Sequence, residues 1–510
     1  MGEQGVPTIP DYLAETLDEG QTLGYDGRTV SATLADQFRA ALAGKQIRFA
    51  DRDDLVGEIW TDRPAFPCAP IWLLGEEYTG RSRADKLTAL RGEMERSGAE
   101  HFLLASLDDI AWLYNLRGDD LRFNPVFMSY TLVGRERAIL YCAVDAVAED
   151  ARAALAEDKV ELRPYLQIYE DLKGLTGSVL FDRGTTNVAL LSALPQGTRR
   201  IEGRNPTTAA KAAKTPVEMA HIRTAHMQDG VAVTKLLYWL KHLSREEAEG
   251  ETELSVSERL LKLREERPGF LDQSFAPIIA AGHHGAIVHY DPDEESNIPL
   301  VWNSFLLMDT GGQYWQGTTD ITRTAALGTL SQEQKSHYTA VLRGNLNLAS
   351  AVFKYGCTGT HLDYLARSPL WEQGIDYNHG TGHGVGFLLN VHEGPQSIRP
   401  KGYDGGLGAV LEEGMLTSDE PGVYLTDRYG IRLENLMLTV KGERTEFGQF
   451  MGFETVTMVP FDRDAIAPEE MTERERAALD AYHARVYENI APHLTEAERA
   501  WLAEVTAPIA

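Results

Sequence analysis

The stretch LLMDTGGQYWQGTTDITRT, from Leu306 to Thr324, reads as two strand-like arms around a connection that carries Gly311, Gly312 and Gly317. That pattern predicts a hairpin. It sets Asp309 and Asp320 near the facing ends of the arms, so two acids can converge on one cation. Taken alone, an acid beside a glycine turn is ordinarily a solvated turn residue. Three further stretches give this one its meaning.

The first is HGTGHGVGFLLNVHEGP, from His379 to Pro395, which holds His379, His383 and His392 among closely spaced glycines. Glycine lets backbone approach a ligand closely. The spacing of four between His379 and His383 would share one helix face, but the Gly-Thr-Gly between them argues against a helix, and spacing does not choose among the three imidazoles. The second is SDEPG, where Pro421 fixes the backbone after Glu420, and the third is the alternating run GIRLEN with Glu434. In that run Arg432 and Glu434 share one side. The ordinary fate of either glutamate is the surface, and Glu434 beside Arg432 is open to reading as an ion pair. His289, in GHHGAIVHY, follows Ala286-Ile287-Val288 and is expected at the end of a buried strand, where a hydrogen-bonded core histidine is the commoner outcome.

Together, Asp309, Asp320, Glu420, Glu434 and one of these imidazoles make an oxygen-rich donor set with four negative charges, enough to neutralise two divalent ions. Zinc alone would not need so many carboxylates. Two such ions sharing a water can lower its pKa and polarise a carbonyl, which implies hydrolysis.

Charge and cysteine usage narrow the field. The formal charge of −27 argues against nucleic-acid or anionic-membrane partners and favours the ammonium end of a peptide. Cys68, Cys142 and Cys357 lie far apart without paired spacing, as free thiols of a reducing compartment would. The N-terminal run MGEQGVPTIPDYLAETLDEG has neither a basic start nor an apolar core, and Val6 spoils an acylation signal. No stretch is long and apolar enough to span a bilayer. A cytoplasmic protein is expected.

At 510 residues the chain should divide into several cores. Thr22-Leu-Gly-Tyr-Asp26-Gly-Arg-Thr-Val-Ser and Val179-Leu-Phe-Asp182-Arg-Gly-Thr-Thr-Asn read alike, as strand, acidic turn and helix. The second copy closes an α/β stretch that includes a helix over 81–97 and a strand over 138–144. The first has almost nothing in front of it, which suggests the back half of a related domain; chance similarity is the competing account. A Pro-rich join over 59–70 follows. Thr215-Pro216-Val217-Glu218 is a capping box with Pro at the first helical position, opening a long amphipathic helix. Near the C-terminus Leu479, Tyr482, Val486 and Ile490 keep helical spacing. The divisions read from this are 1–78, 79–205, 206–463 and 464–510.

These motifs together resemble the aminopeptidase P branch of the creatinase/prolidase/methionine-aminopeptidase superfamily. DTGGQYWQGTTDITRT is similar to its first acidic pair, HGTGHGVG and VHEGP to its histidine segment, and DEPG with GIRLEN to its two-glutamate close. IWTDRP, DDIAWLYNLRG and NPVFMSY resemble the long, three-domain form. The resemblance implies an α+β chain: a pita-bread catalytic domain preceded by a creatinase-type α/β domain and a truncated copy of a similar domain. It implies that Asp309 binds one metal, that Asp320 and Glu434 bridge two, and that His383 and Glu420 bind the other. Manganese is the usual ion, with zinc and cobalt as alternatives. His289, His379 and His392 would face substrate, and Arg432 would orient Glu434 or the substrate.

The activity so implied is removal of the first residue from peptides with proline second. A hydroxide bridging two metal ions attacks the carbonyl, Glu420 passes the proton on, and His379 and His392 help hold the oxyanion. His289 and Phe275 are expected to grip the proline ring. A prolidase acting on Xaa-Pro dipeptides is the nearest alternative, and a metal-free binding module on the same fold the more distant one. A homodimer is common in the resembled family. Two departures stand out: Gln316 replaces an acid that many relatives carry in this turn, and the first half-domain is absent.

Overall fold

The computed structural model describes residues 6–402 and 405–509, so the part of the leader reading that rests on Met1–Gly5 lies outside the described residues. The chain divides into two compact units, one of Met1–Leu121 with Pro125–Ala210, the other of Arg122–Asn124 with Lys211–Ala510.

In the first unit a mixed six-stranded sheet runs in the order Arg199–Glu202, Ser178–Phe181, His101–Leu104, Tyr130–Gly134, Ala138–Cys142, Val160–Pro164. Its apolar side chains, among them Leu103, Leu132, Tyr141, Val179 and Phe181, are buried. The helix expected over 81–97 runs Arg83–Ser97, capped by the Ser82 hydroxyl and ended by Gly98 in the left-handed region. The two similar segments fold alike. Ser31 and Asn187 each cap a following helix, Ala32–Ala41 and Val188–Ala193, and the two caps pair with each other in an antiparallel bridge. Backbone bonds from Ala32 to Thr186 and from Val188 to Val30 tie the copies together.

The second unit has the pita-bread architecture. Its opening helix, Pro216–Lys241, carries the full capping box between Thr215 and Glu218. A three-stranded antiparallel sheet is built from Ile278–Ala281, Ser304–Thr310 and Ile321–Leu327. A six-stranded antiparallel sheet runs Phe353–Lys354, Gly448–Thr455, Asn435–Thr445, Leu416–Asp419, Gly382–Gly384, Glu393–Ile398. The helices Gln332–Ala349, Gly359–Trp371 and Glu473–Ile490 cover them, the last burying Leu479, Tyr482, Val486 and Ile490.

One local expectation changes. Ala286-Ile287-Val288 does not form a buried strand: Gly282–Ala286 is a short 3-10 turn and Ile287 is exposed. Gly285 and Gly430 explain it, since a Cβ on Gly430 would meet the Gly285 carbonyl oxygen at 1.6 Å. The chain must turn where the two backbones touch.

Among the described residues no helix is long and apolar enough to cross a membrane. Cys68, Cys142 and Cys357 are all free.

Candidate metal centre

The hairpin forms as its glycines require. Ser304–Thr310 pairs with Ile321–Leu327 so that Asp309 stands opposite Thr322, and Asp320 immediately precedes the second strand. A buried network behind the turn sets the distance between the acids. Arg264 donates from Nε and Nη2 to the two oxygens of Asp229 (2.7 and 3.0 Å) and from Nη2 to the Thr310 hydroxyl (3.0 Å). The Thr319 hydroxyl donates to Asp229 Oδ2 (2.5 Å) and Tyr314 to Oδ1 (3.1 Å). One buried ion pair therefore grips the residue after Asp309 and the residue before Asp320.

The remaining donors arrive from the larger sheet. Gly382 makes this possible, because a Cβ there would meet the Ser418 carbonyl oxygen at 1.9 Å. The His383 backbone N–H donates to the Ser418 hydroxyl oxygen (2.9 Å), and the ring places Nδ1 2.9 Å from the Gly384 carbonyl. A carbonyl only accepts, so Nδ1 carries the proton and the Nε2 lone pair points inward. It faces Asp320 Oδ2 at 3.5 Å and Glu420 Oε1 at 3.6 Å. Glu434 Oε2 accepts from Thr322 Oγ1 at 2.8 Å. Donor atoms of Asp320, His383 and Glu434 all lie within 4.8 Å of one another.

The arrangement fits divalent cations. Asp309 Oδ1 and Asp320 Oδ1 are buried with no hydrogen-bond partner. Burial, and then repulsion among Asp309, Asp320, Glu420 and Glu434, pushes the Asp320 and Glu434 carboxyls well above the usual range; burial also raises Glu420. A lone pair and several carboxylates aimed at one point are stable together only around positive charge.

Arg432 departs from its expected partner. Its guanidinium donates to Asp309 Oδ2 (2.6 and 3.1 Å) and to the Tyr424 hydroxyl (2.8 Å), not to Glu434. The strand Tyr429–Arg432 ends before Glu434, so the two side chains leave in different directions. Because arginine only donates, the Tyr424 hydroxyl must pass its own proton toward His379 Nε2, 2.8 Å away. His379 Nδ1 in turn donates to the Gly380 carbonyl (2.7 Å). Both nitrogens are engaged, and burial with the Arg432 charge lowers the His379 pKa to about 3. As arranged here His379 has no N–H left for an oxyanion, contrary to the expectation.

The His392 ring lies 4.2 Å from the His383 ring with their planes inclined at 54°, and burial lowers its pKa to about 4, with His383 adding to the effect. His289 is exposed and close enough for its charge to depress both His379 and His392. Phe275 is half-buried and packs beside Gly311.

Sequence reading missed Tyr424 and Asp419. Tyr424 lies four residues after Glu420 in EPGVY, a spacing that carries no signal by itself. Asp419 is fully buried with both oxygens unpartnered, and burial, then Glu434 and Glu420, pushes its carboxyl well up. Its burial follows from its place opposite Asn435 in the sheet.

Fold and donor set define a metallopeptidase, and the chain belongs to metallopeptidase family M24, whose model matches residues 220–441. The creatinase/prolidase N-terminal domain matches 62–218 and the C-terminal region of peptidase M24 matches 449–509. Within the family the similarity runs to aminopeptidase P. The protein named Probable Xaa-Pro aminopeptidase P of Sordaria macrospora is 36% identical over 99% of this chain and 85% of its own length; the Chaetomium globosum protein of the same name is 38% identical over the same shares. The solved X-prolyl aminopeptidase of Caenorhabditis elegans, described as a cytosolic enzyme with a di-nuclear active site, superposes with a TM-score of 0.92 at 31% identity, covering 100% of this chain and 84% of that one. The Xaa-Pro dipeptidase of Bacillus anthracis matches 75% of this chain and 99% of its own, with a TM-score of 0.61 and 25% identity.

Proposed function

We propose that this chain is a metal-dependent aminopeptidase that releases the N-terminal residue from peptides with proline in the second position. The observation that carries the reading is the convergence of Asp320, His383 and Glu434 within 4.8 Å, with Glu420 3.6 Å from His383. Full-length similarity to aminopeptidase P, against partial similarity to a dipeptidase, supports this substrate class over a prolidase.

Asp309, Asp320, His383, Glu420 and Glu434 would hold two divalent ions, for which the carboxylate-rich donor set favours manganese over zinc. When bound, such a pair lowers the pKa of a water and polarises a carbonyl. Glu420, whose pKa burial already raises, takes the proton from the attacking water and delivers it to the departing proline nitrogen. That nitrogen has no N–H in the substrate, so it leaves only after gaining one. His392 is the imidazole with a donor free to meet the oxyanion. Arg432 holds Asp309 in place, and Tyr424 holds His379 as a neutral wall of the site. His289 and Phe275 form the gripping surface for the proline ring. The division into parts at 1–78, 79–205, 206–463 and 464–510, a cytoplasmic location and a homodimeric state belong to the same reading.

The test is hydrolysis of Arg-Pro-Pro and Arg-Pro by metal-stripped protein with and without Mn2+. Manganese-dependent release of arginine from the tripeptide is expected. Cleavage of the dipeptide alone would move the assignment to a prolidase, and inactivity on both by metal-loaded protein would refute it.

A further inference from the structure

We infer that Glu253 is a positioning residue that clamps the loop bearing His289 at the mouth of the site. The inference rests on the function proposed above.

Glu253 is the first residue of the helix Glu253–Glu265 and is fully buried. Its carboxylate gathers four donors. Oε1 accepts from the Ala281 backbone nitrogen (2.8 Å) and His284 Nδ1 (2.9 Å). Oε2 accepts from the Tyr290 hydroxyl (2.9 Å) and the Ile298 backbone nitrogen (3.2 Å). The donors belong to both ends and the middle of the segment 281–298, and His284 and Tyr290 bracket His289.

The clamped segment touches the site at both flanks. Ala281 ends the strand whose other end, Ile278, stands opposite Asp309. Tyr290 packs with Ile278, Ala280 and Leu307, and Tyr424 packs against that cluster. Tyr424 is the residue that joins His379 to Arg432. Between these anchors Ile287 and His289 are exposed, so the loop presents its free side chains to solvent while a single acid inside holds its frame.

No other side chain can replace this acid. A glutamine has one acceptor oxygen, and its amide N–H2 would face backbone N–H groups that cannot turn away. An aspartate is one methylene short of donors set by the end of the strand Ile278–Ala281, the turn Gly282–Ala286 and the segment beyond it. Loss of the clamp should therefore loosen the loop without removing any group that meets substrate.

The test uses the Mn2+-loaded, full-length protein with Arg-Pro-Pro, comparing wild type, E253Q, H289A and the double variant. E253Q should raise KM about tenfold with kcat changed by less than about twofold, and in the H289A background it should change KM by less than about twofold. Equal fold-losses in both backgrounds, or a loss confined to kcat, would overturn the clamp. Hydrogen exchange at the Ala281 and Ile298 amides should quicken in E253Q, and unchanged protection would also overturn it. If E253Q does not fold, Tyr290→Phe removes one of the four donors while keeping the ring packed. Its KM should rise about threefold, and only where His289 is present; no rise refutes the inference. Faster exchange in E253Q beside a wild type inactive on Xaa-Pro peptides would refute the assigned function and uphold the clamp.

Discussion

Glu393 and Glu434 are both buried carboxylates of the second unit, yet their surroundings are opposite. Lys211 and Lys214 each bring an ammonium to 2.5 Å of Glu393, one at each oxygen. Burial alone would raise its pKa, but the two lysines more than offset it and hold it below the usual value. Glu434 has the Thr322 hydroxyl at 2.8 Å and carboxylates for neighbours, and burial with the repulsion of Asp320 drives it well up. One acid carries its counter-charge within the chain. The other belongs to a cluster whose balance must come from outside, and that difference separates a structural ion pair from a site for cations.

The severest way to break the comparison is to remove an acid from the uncompensated cluster. Asp320→Ala or Glu434→Ala should abolish turnover of Arg-Pro-Pro, because each deletes a donor from the point where His383 and the other acids converge. Metal content by mass spectrometry should fall with activity. Near-normal activity in a metal-replete variant would show that the convergence is not the reacting centre.

Charge balance within the chain should matter as much to folding. Lys214→Ala leaves Glu393 buried with one partner, a change that costs about 3–5 kcal/mol where a buried pair is broken. A lowered Tm, read at fixed pH with metal present, is expected. Glu393→Gln combined with Lys211→Met and Lys214→Met should recover part of the loss, since it removes all three charges.

Acidity should sort the two clusters by sign. Asp320 and Glu434 have folded-state pKa values raised above their ordinary 3.8 and 4.5. In metal-free protein their contribution is therefore fullest below pH about 4 and is lost as pH rises through the raised values. Glu393 lies below its ordinary 4.5, so its contribution is present above that pH and is lost as pH falls through the lowered value. Metal-free protein should thus lose Tm as pH climbs above about 5, and Mn2+ should flatten that decline. A metal-free Tm that rises steadily with pH would contradict the balance described.

The same contrast explains what could be read from residues alone. The Asp309–Asp320 hairpin was legible because its glycines and strand-like arms are local, and so were the Thr215 capping box and the tail helix. The partner of Arg432 was not, because Asp309 lies 123 residues earlier and meets it only when two sheets pack. Asp229 with Arg264 was invisible for the same reason: two helices must dock before the pair exists. Ala286-Ile287-Val288 reads as a strand and does not form one, because the contact between Gly285 and Gly430, not local preference, bends the chain there. Residue types announced the donor set, and tertiary packing assigned the groups that hold it.

Tyr424 offers the finest test of that assignment. Its hydroxyl accepts from Arg432, which also holds Asp309, and donates to His379, whose other nitrogen is tied to Gly380. Burial pushes the phenol up to about 12, so it stays protonated at working pH and keeps this direction. Tyr424→Phe preserves the ring but strips Arg432 Nη1 of its acceptor and frees His379 Nε2. The unsatisfied buried N–H costs about 1–3 kcal/mol, felt in the orientation of Arg432 on Asp309 as well as in Tm. Turnover of Arg-Pro-Pro should fall about tenfold, a smaller loss than removal of a site carboxylate. The freed imidazole should also titrate upward from about 3, because its neutral form loses the hydrogen bond that Nε2 accepts from Tyr424. An NMR titration of His379 that stays unchanged in Tyr424→Phe would mean that burial with the Arg432 charge, and not the Tyr424 hydroxyl, keeps this histidine neutral.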